Sequence, residues 1–178
     1  MENNNLCCSC SSCCSTPGSN DFNKKKIIID FLYLDVTICD RCQGTDNSLD
    51  EAVSEVSKVL EATGVEVAVN KINVINEELA RKYKFISSPT IRINGNDIQM
   101  DFKESLCESC GDLCGDDVEC RVWVHEEKEY TQPPKAMIIE AILKAVYSGS
   151  SENQEEYNYI IPKNLMKFYN AKKAKDIR

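Results

Sequence analysis

Two neighbouring stretches decide the fold: Ile27-Ile28-Ile29-Asp30-Phe31-Leu32-Tyr33-Leu34, and shortly after it Thr37-Ile38-Cys39-Asp40-Arg41-Cys42. The near-continuous apolar run reads as a central strand over roughly 26–36, buried on both faces. Beyond the cysteines, Leu49, Ala52, Val53, Val56, Val59 and Leu60 recur at helical spacing, and Gly64 supplies a stop. Two cysteines separated by two residues, between a strand and a helix, form a redox or soft-metal site. Two signals compete over where that helix starts. Cys42 precedes Leu49 by seven residues, so the apolar face can run back to the cysteines. Ser48-Leu49-Asp50-Glu51, however, has the spacing of a capping box. The cap pattern favours a start at Ser48, with the cysteine pair on a loop or irregular first turn.

Downstream, Val65 to Val74 reads as a second strand and Asn76 to Phe85 as a short helix capped by Asn76. Ser87 to Ile93 reads as a third strand entered through Pro89. Asn94-Gly95 is a strong hairpin signal, from which Asp97 to Phe102 returns as a fourth strand. Residues 103–133 carry four cysteines, and there Arg121 to His125 alternates and pairs with Glu129-Tyr130-Thr131 as a small hairpin. Pro134 opens a third helix through Ala136, Ile138, Ile139, Ile142, Leu143 and Val146. After a polar linker, Pro162 opens a last helix with Leu165, Met166, Phe168 and Tyr169 on one side. That helix is expected to dock on the domain with a solvated basic end; a partner-docking tail is the other reading.

The 178 residues suffice for one domain plus tails. A formal net charge of -8 argues against nucleic acid as a partner, because phosphate binding needs a basic surface. No stretch approaches the length of a membrane span, and no basic segment with an apolar run opens the chain. The expectation is a cytoplasmic protein that engages neither membrane nor nucleic acid. In such a reducing compartment the 11 cysteines point to redox chemistry or metal binding rather than to a disulfide framework.

The cysteines fall into three groups. Cys7, Cys8, Cys10, Cys13 and Cys14 lie in an Asn- and Ser-rich tail, residues 1–23, with too little apolar content to fold alone. Their spacing resembles a metallothionein-like run, able to chelate Cu(I), zinc or trivalent metalloids. Cys39 and Cys42 follow the first strand. Cys107, Cys110, Cys114 and Cys120 offer four thiolates in a compact loop, with Gly111 and Gly115 turning the backbone behind two of them. Four thiolates suit tetrahedral Zn²⁺, and the spacing is near that of iron–sulfur runs; another soft metal, disulfides or free thiols are the remaining readings. His125, the single histidine, is expected exposed and structural, and Trp123 is expected to pack.

The element order, with Cys39-Asp40-Arg41-Cys42 after the first strand and Pro89 opening the third, resembles the thioredoxin-like superfamily over about residues 24–102 and 134–149. More narrowly, Cys107-Glu108-Ser109-Cys110-Gly111-Asp112-Leu113-Cys114 and Pro133-Pro134-Lys135-Ala136-Met137 resemble a cysteine-rich branch catalogued as a domain of unknown function. The resemblance implies a three-layer α/β sandwich: a central mixed four-stranded sheet, about three helices, and a cysteine-rich insertion (103–133) after strand four. It implies a domain over 24–149, followed by a linker and C-terminal helix over 150–178. It implies a cis Pro89 against the cysteine pair, with the backbone before it left for a bound substrate. In that fold the insertion emerges beside Cys39, Cys42 and Pro89, where it would cover the pair, pass electrons to it, or share a metal with it.

Two functions follow as expectations. In the first, Cys39 attacks and Cys42 resolves, exchanging disulfides with a protein or small-molecule thiol partner. Arg41 then favours the Cys39 thiolate and Asp40 opposes it. In the second, the protein binds or carries a soft metal or metalloid without turnover.

Overall fold

The computed structural model describes residues 25–114, 118–148 and 158–176. Strand β1 (Lys25–Tyr33) lies parallel to β2 (Val65–Asn73), with Ile29 opposite Val69, and antiparallel to β3 (Thr90–Ile93), with Ile29 opposite Ile93. A two-residue β4 (Asn96–Asp97) completes a mixed sheet of order β2-β1-β3-β4. The β3–β4 turn is the expected one. Asn94 and Gly95 both take positive φ, 51° and 84°, the backbone that an Asn-Gly hairpin requires.

Helix α1 (Asp40–Ala62) and helix α4 (Lys135–Tyr147) pack side by side on one face of this sheet. Ile27, Ile29 and Phe31 of β1 meet Leu49, Ala52, Val56 and Leu60 of α1 and Ile138, Ile142 and Val146 of α4 in a shared core. Among the described residues, the opposite face is covered only toward the end of β1. There Leu32 and Leu34 meet Phe85, the cysteines, and Leu165, Phe168 and Tyr169 of the last helix. Ile28, near the start of the strand, is 41% exposed on that side. Burial of β1 on both faces therefore holds for its second half only. The apolar run does not mark the difference, since isoleucine fills both kinds of position.

Helix α1 corrects the expected start at Ser48. It is continuous from Asp40, and Cys39 is the N-cap, its backbone extended (φ -85°, ψ 109°) and its sulfur accepting from the Cys42 amide at 3.4 Å. The first turn is reinforced by the Thr45 hydroxyl, which donates to the Arg41 carbonyl at 2.7 Å. Cys42, Leu49, Ala52, Val56 and Leu60 form one buried face, so the apolar period overrides the local cap pattern. Ser48 sits mid-helix.

Helix α2 (Glu77–Lys82) is capped as expected, Asn76 Oδ1 accepting from the Leu79 amide at 2.9 Å. The fourth strand is shorter than expected, because the chain is drawn away after Asp97. The Asp97 carboxylate takes both terminal nitrogens of Arg121 at 2.8 Å, on a side chain with no exposure. Ile98 still donates its amide to the Ile91 carbonyl at 3.1 Å, and residues 99–102 then leave the ladder. The chain then builds a second sheet, β5 (Lys103–Leu106), β6 (Glu119–His125) and β7 (Lys128–Tyr130), with α3 (Glu108–Cys114) between β5 and β6. The expected hairpin is present, with Trp123 opposite Tyr130. Trp123 is buried and His125 half-buried.

Helix α5 (Lys163–Asp176) docks with Leu165, Phe168 and Tyr169 fully buried. Five helices are present among the described residues: α1, α2, α4 and the C-terminal α5 were expected, and the short α3 is the addition. No described helix is long and apolar enough to cross a membrane.

Candidate metal centre

The buried end of the molecule is built from four segments. The first is the N-terminus of α1, which presents Cys39. The second is the β5–α3 junction, where Cys107 stands just before α3 and Cys110 one turn into it, joined by the Gly111 amide donating to the Cys107 carbonyl at 2.8 Å. The third is β6, which brings Cys120; the Cys107 amide donates to the Val118 carbonyl at 3.0 Å and closes the α3 loop. The fourth is α5, whose Leu165 and Phe168 cover the cluster.

The sulfurs of Cys39, Cys107, Cys110 and Cys120 all lie within 4.8 Å of one another, and all four residues are buried. Cys39 Sγ is 3.8 Å from Cys107 Sγ, and Cys110 Sγ is 3.8 Å from Cys120 Sγ. These four could hold a metal ion. Three of the expected ligands, Cys107, Cys110 and Cys120, are thus brought together, and Cys39 of the supposed redox pair joins them. Helix α3 ends at the fourth expected ligand, Cys114, whose side chain lies outside the described residues. The tail cysteines Cys7, Cys8, Cys10, Cys13 and Cys14 also lie outside them.

Cys42 stands directly behind. It is fully buried, with its sulfur 3.5 Å from the Ser88 hydroxyl, which in turn accepts from the Leu34 amide at 3.1 Å. Ser88 and Pro89 are joined by a cis peptide bond, as expected of this proline. The Ser88 carbonyl is not open, however. It accepts from the Arg121 amide at 2.7 Å, so β6 of this same chain occupies that backbone position.

The two residues between the cysteines do something other than tune a thiolate. Arg41 reaches across to the second sheet and donates to the carbonyls of Leu106 (2.7 Å), Cys120 (3.1 Å) and Ser105 (3.4 Å). Asp40 accepts from the Ser109 hydroxyl at 3.0 Å on α3. Both side chains bind the second sheet and its helix to α1. Sequence reasoning missed this role because a local motif does not show a partner 65 residues away. The inferred emergence of the later cysteines beside Cys39 was the one available signal.

Four thiols packed this closely cannot all ionise in the absence of a cation. The thiols of Cys107, Cys110 and Cys120 donate toward the Cys39 sulfur and hold it far below the usual thiol range. Cys110 and Cys120 likewise bring Cys107 down to about 7. Negative charge on those two sulfurs and burial push Cys110 and Cys120 up, Cys107 being the largest cause for each. Cys42 is also raised, first by Cys39 and then by burial. A cation placed among the four would reverse this balance, favouring the thiolate at every position.

The chain belongs to the family described as "Domain of unknown function (DUF2703)", whose model matches residues 27–142. The match spans β1 through most of α4 and contains all four clustered cysteines; α5 lies outside it. No curated protein and no solved structure matches the chain.

Proposed function

We propose that this member of the family binds one soft metal ion, zinc in the first place, through Cys39, Cys107, Cys110 and Cys120. The observation that carries the reading is the sulfur spacing. An ion bonded to four thiolates at about 2.3 Å holds neighbouring sulfurs about 3.8 Å apart, and the Cys39–Cys107 and Cys110–Cys120 sulfur pairs stand at 3.8 Å. A polynuclear iron–sulfur cluster distributes its thiolates over two or more iron atoms and so sets some of them farther apart than the 4.8 Å within which all four sulfurs lie, which favours a single ion. All ligands are buried, with no position left to water, as in a structural rather than a hydrolytic zinc site. The framework is read as thioredoxin-like, with the β5–β7 segment as an insertion; the strand order and the cis Pro89 support that reading. On that framework the ion ties the insertion to the first turn of α1.

The test is metal analysis of anaerobically purified full-length chain in which the five tail cysteines are serine. About one zinc per chain is expected, falling below about 0.2 in both Cys39→Ser and Cys120→Ser. Undiminished zinc in Cys39→Ser overturns the reading.

A second reading keeps thiol–disulfide exchange by Cys39 and Cys42. It is favoured by the strongly lowered Cys39 thiol at the N-terminus of α1. Against it, Cys39 is engaged by three other sulfurs and the Ser88 carbonyl by Arg121. Dithiothreitol-driven disulfide reduction separates the two, since turnover that survives Cys39→Ser removes this reading.

A further inference from the structure

Among the cysteines whose side chains are described, Cys42 is the one that the four-sulfur group leaves out. It is also placed to interfere with that group. The extended backbone of Cys39 folds its sulfur back over the first turn of α1, where it accepts from the Cys42 amide at 3.4 Å. Cys42, one helical turn on, is fully buried with its sulfur 3.5 Å from Ser88 Oγ. Cys39 therefore faces Cys107 at 3.8 Å and its own helix neighbour at once.

We propose that oxidation of Cys39 and Cys42 to a disulfide expels the bound ion, so that metal occupancy and the redox state of this pair are linked. The inference rests on the proposed metal site and assigns its regulation. A thiolate sulfur donates a charged lone pair to a metal, whereas a disulfide sulfur carries no charge and is a poor ligand. Cys39 can serve one partner or the other. The linkage is reciprocal: the ion protects the pair from oxidation by the same factor that oxidation weakens the ion. Among the cysteine side chains described, Cys42 is the preferred partner, because a bound ion engages the other four sulfurs.

Burial of Cys39 restricts the oxidant to a small one, a peroxide. The Cys39 thiolate attacks one oxygen of hydrogen peroxide; the O–O bond breaks, giving a sulfenic acid and hydroxide. Cys42 Sγ then attacks the sulfenic sulfur, the S–O bond breaks, and the S–S bond forms. Two electrons pass from the sulfurs to the peroxide. One thiolate, one thiol and one hydrogen peroxide become one disulfide, one water and one hydroxide.

The experiment uses the full-length chain with tail cysteines replaced by serine, loaded with zinc, and a chromogenic indicator reporting released zinc during peroxide addition. Peptide mapping identifies the first disulfide. The parent chain is expected to lose zinc with a Cys39–Cys42 disulfide, its zinc affinity falling roughly 100-fold, and to rebind after dithiothreitol. Cys42→Ser and Cys42→Ala are expected to bind zinc as the parent does, which verifies their fold, and to release it about tenfold more slowly. Parental release rates in both variants, or a first disulfide joining Cys39 to Cys107 or Cys110 to Cys120, overturn the linkage alone. A reduced parent chain that binds no zinc overturns the metal site and the linkage together.

Discussion

Arg41 Nη2 donates to the Leu106 carbonyl at 2.7 Å, joining the first turn of α1 to the end of β5. Its other terminal nitrogen reaches the carbonyl of Cys120, itself one of the four clustered cysteines. The guanidinium is therefore an outer support of the proposed metal centre, fixing two of its segments by their main chains. Removing such a support costs about 10–100-fold in metal affinity where the ligands themselves remain. Arg41→Ala is expected to weaken zinc binding by at least about tenfold, measured by competition with a chelator of known affinity. Arg41→Lys should not restore it, because a single ammonium cannot span three carbonyls in the planar fork of an arginine.

Zinc affinity should fall as pH falls, with a slope that steepens near neutrality. Cys110 and Cys120 are raised in the metal-free chain and keep their protons at pH 8, whereas Cys39 is held low and has none to give. Binding there releases about two protons, so the apparent affinity drops about 100-fold per pH unit. Cys107, at about 7, gains its proton below neutrality. A third proton then joins the exchange and the slope approaches about three. Zinc titrations buffered between pH 6 and 8.5 read this directly; a slope that flattens on acidification would contradict the assigned charge distribution.

The buried pair of Arg121 and Asp97 should show a marked asymmetry between single and double replacement. Arg121 has no exposure, makes two 2.8 Å contacts with Asp97, and lies over the rings of Phe102 (4.3 Å) and Trp123 (5.2 Å). Removing one partner strands a buried charge, at a cost of about 3–5 kcal/mol. Asp97→Ala should lose that much in urea denaturation. Asp97→Leu combined with Arg121→Met should recover most of it, since hydrophobic replacement of a buried pair is often neutral.

Gly44 lies in the first turns of α1, where a Cβ would come within 1.9 Å of the Gln132 side-chain amide. That amide is the far end of a flexible, exposed side chain and donates to the Asp40 carbonyl at 3.3 Å. It can swing into solvent. Glycine inside a helix costs about 1 kcal/mol relative to alanine, which exceeds a long exposed hydrogen bond. Gly44→Ala should therefore stabilise the chain by about 0.5 kcal/mol, visible as a raised urea midpoint at unchanged slope.

The same positions show what the sequence could and could not disclose. Elements set by local rules were legible: the Asn76 cap, the Asn94-Gly95 turn and the apolar faces of α1 and α4 each depend on residues a few positions apart. The start of α1 was obscured because Ser48 and Glu51 have the spacing of a cap, while the real cap is a cysteine whose role depends on its sulfur. The early end of β4 depends on Asp97 meeting Arg121, and the metal centre on Cys39 meeting Cys107. Such pairings are fixed by chain topology, and no period or composition records them. The cysteines themselves were legible as chemistry, and Cys107, Cys110 and Cys120 as one group; that Cys39 and not Cys42 would join them was not.

Asn164 on α5 offers a last case in which sign rather than size decides. Its side-chain amide donates to the Glu119 carbonyl at 2.6 Å, and its oxygen accepts from the Glu119 amide at 3.0 Å, as a neighbouring strand would. The same NH₂ group lies 3.4 Å from Glu104 Oε1, which also accepts from the Ser87 hydroxyl at 2.6 Å. Asn164→Ala removes two hydrogen bonds to backbone next to Cys120, at about 1–3 kcal/mol. Asn164→Asp is nearly isosteric and keeps the acceptor, so a purely steric role predicts the smaller loss. The charge environment predicts the reverse, because the new carboxylate faces the Glu119 carbonyl and the Glu104 carboxylate with no donor between them. Asn164→Asp should therefore be the less stable of the two in urea at pH 8, with the order inverting near pH 4 as carboxylates take up protons. An Asp variant at least as stable as the Ala variant at pH 8 would show that the charges around Asn164 do not set the order.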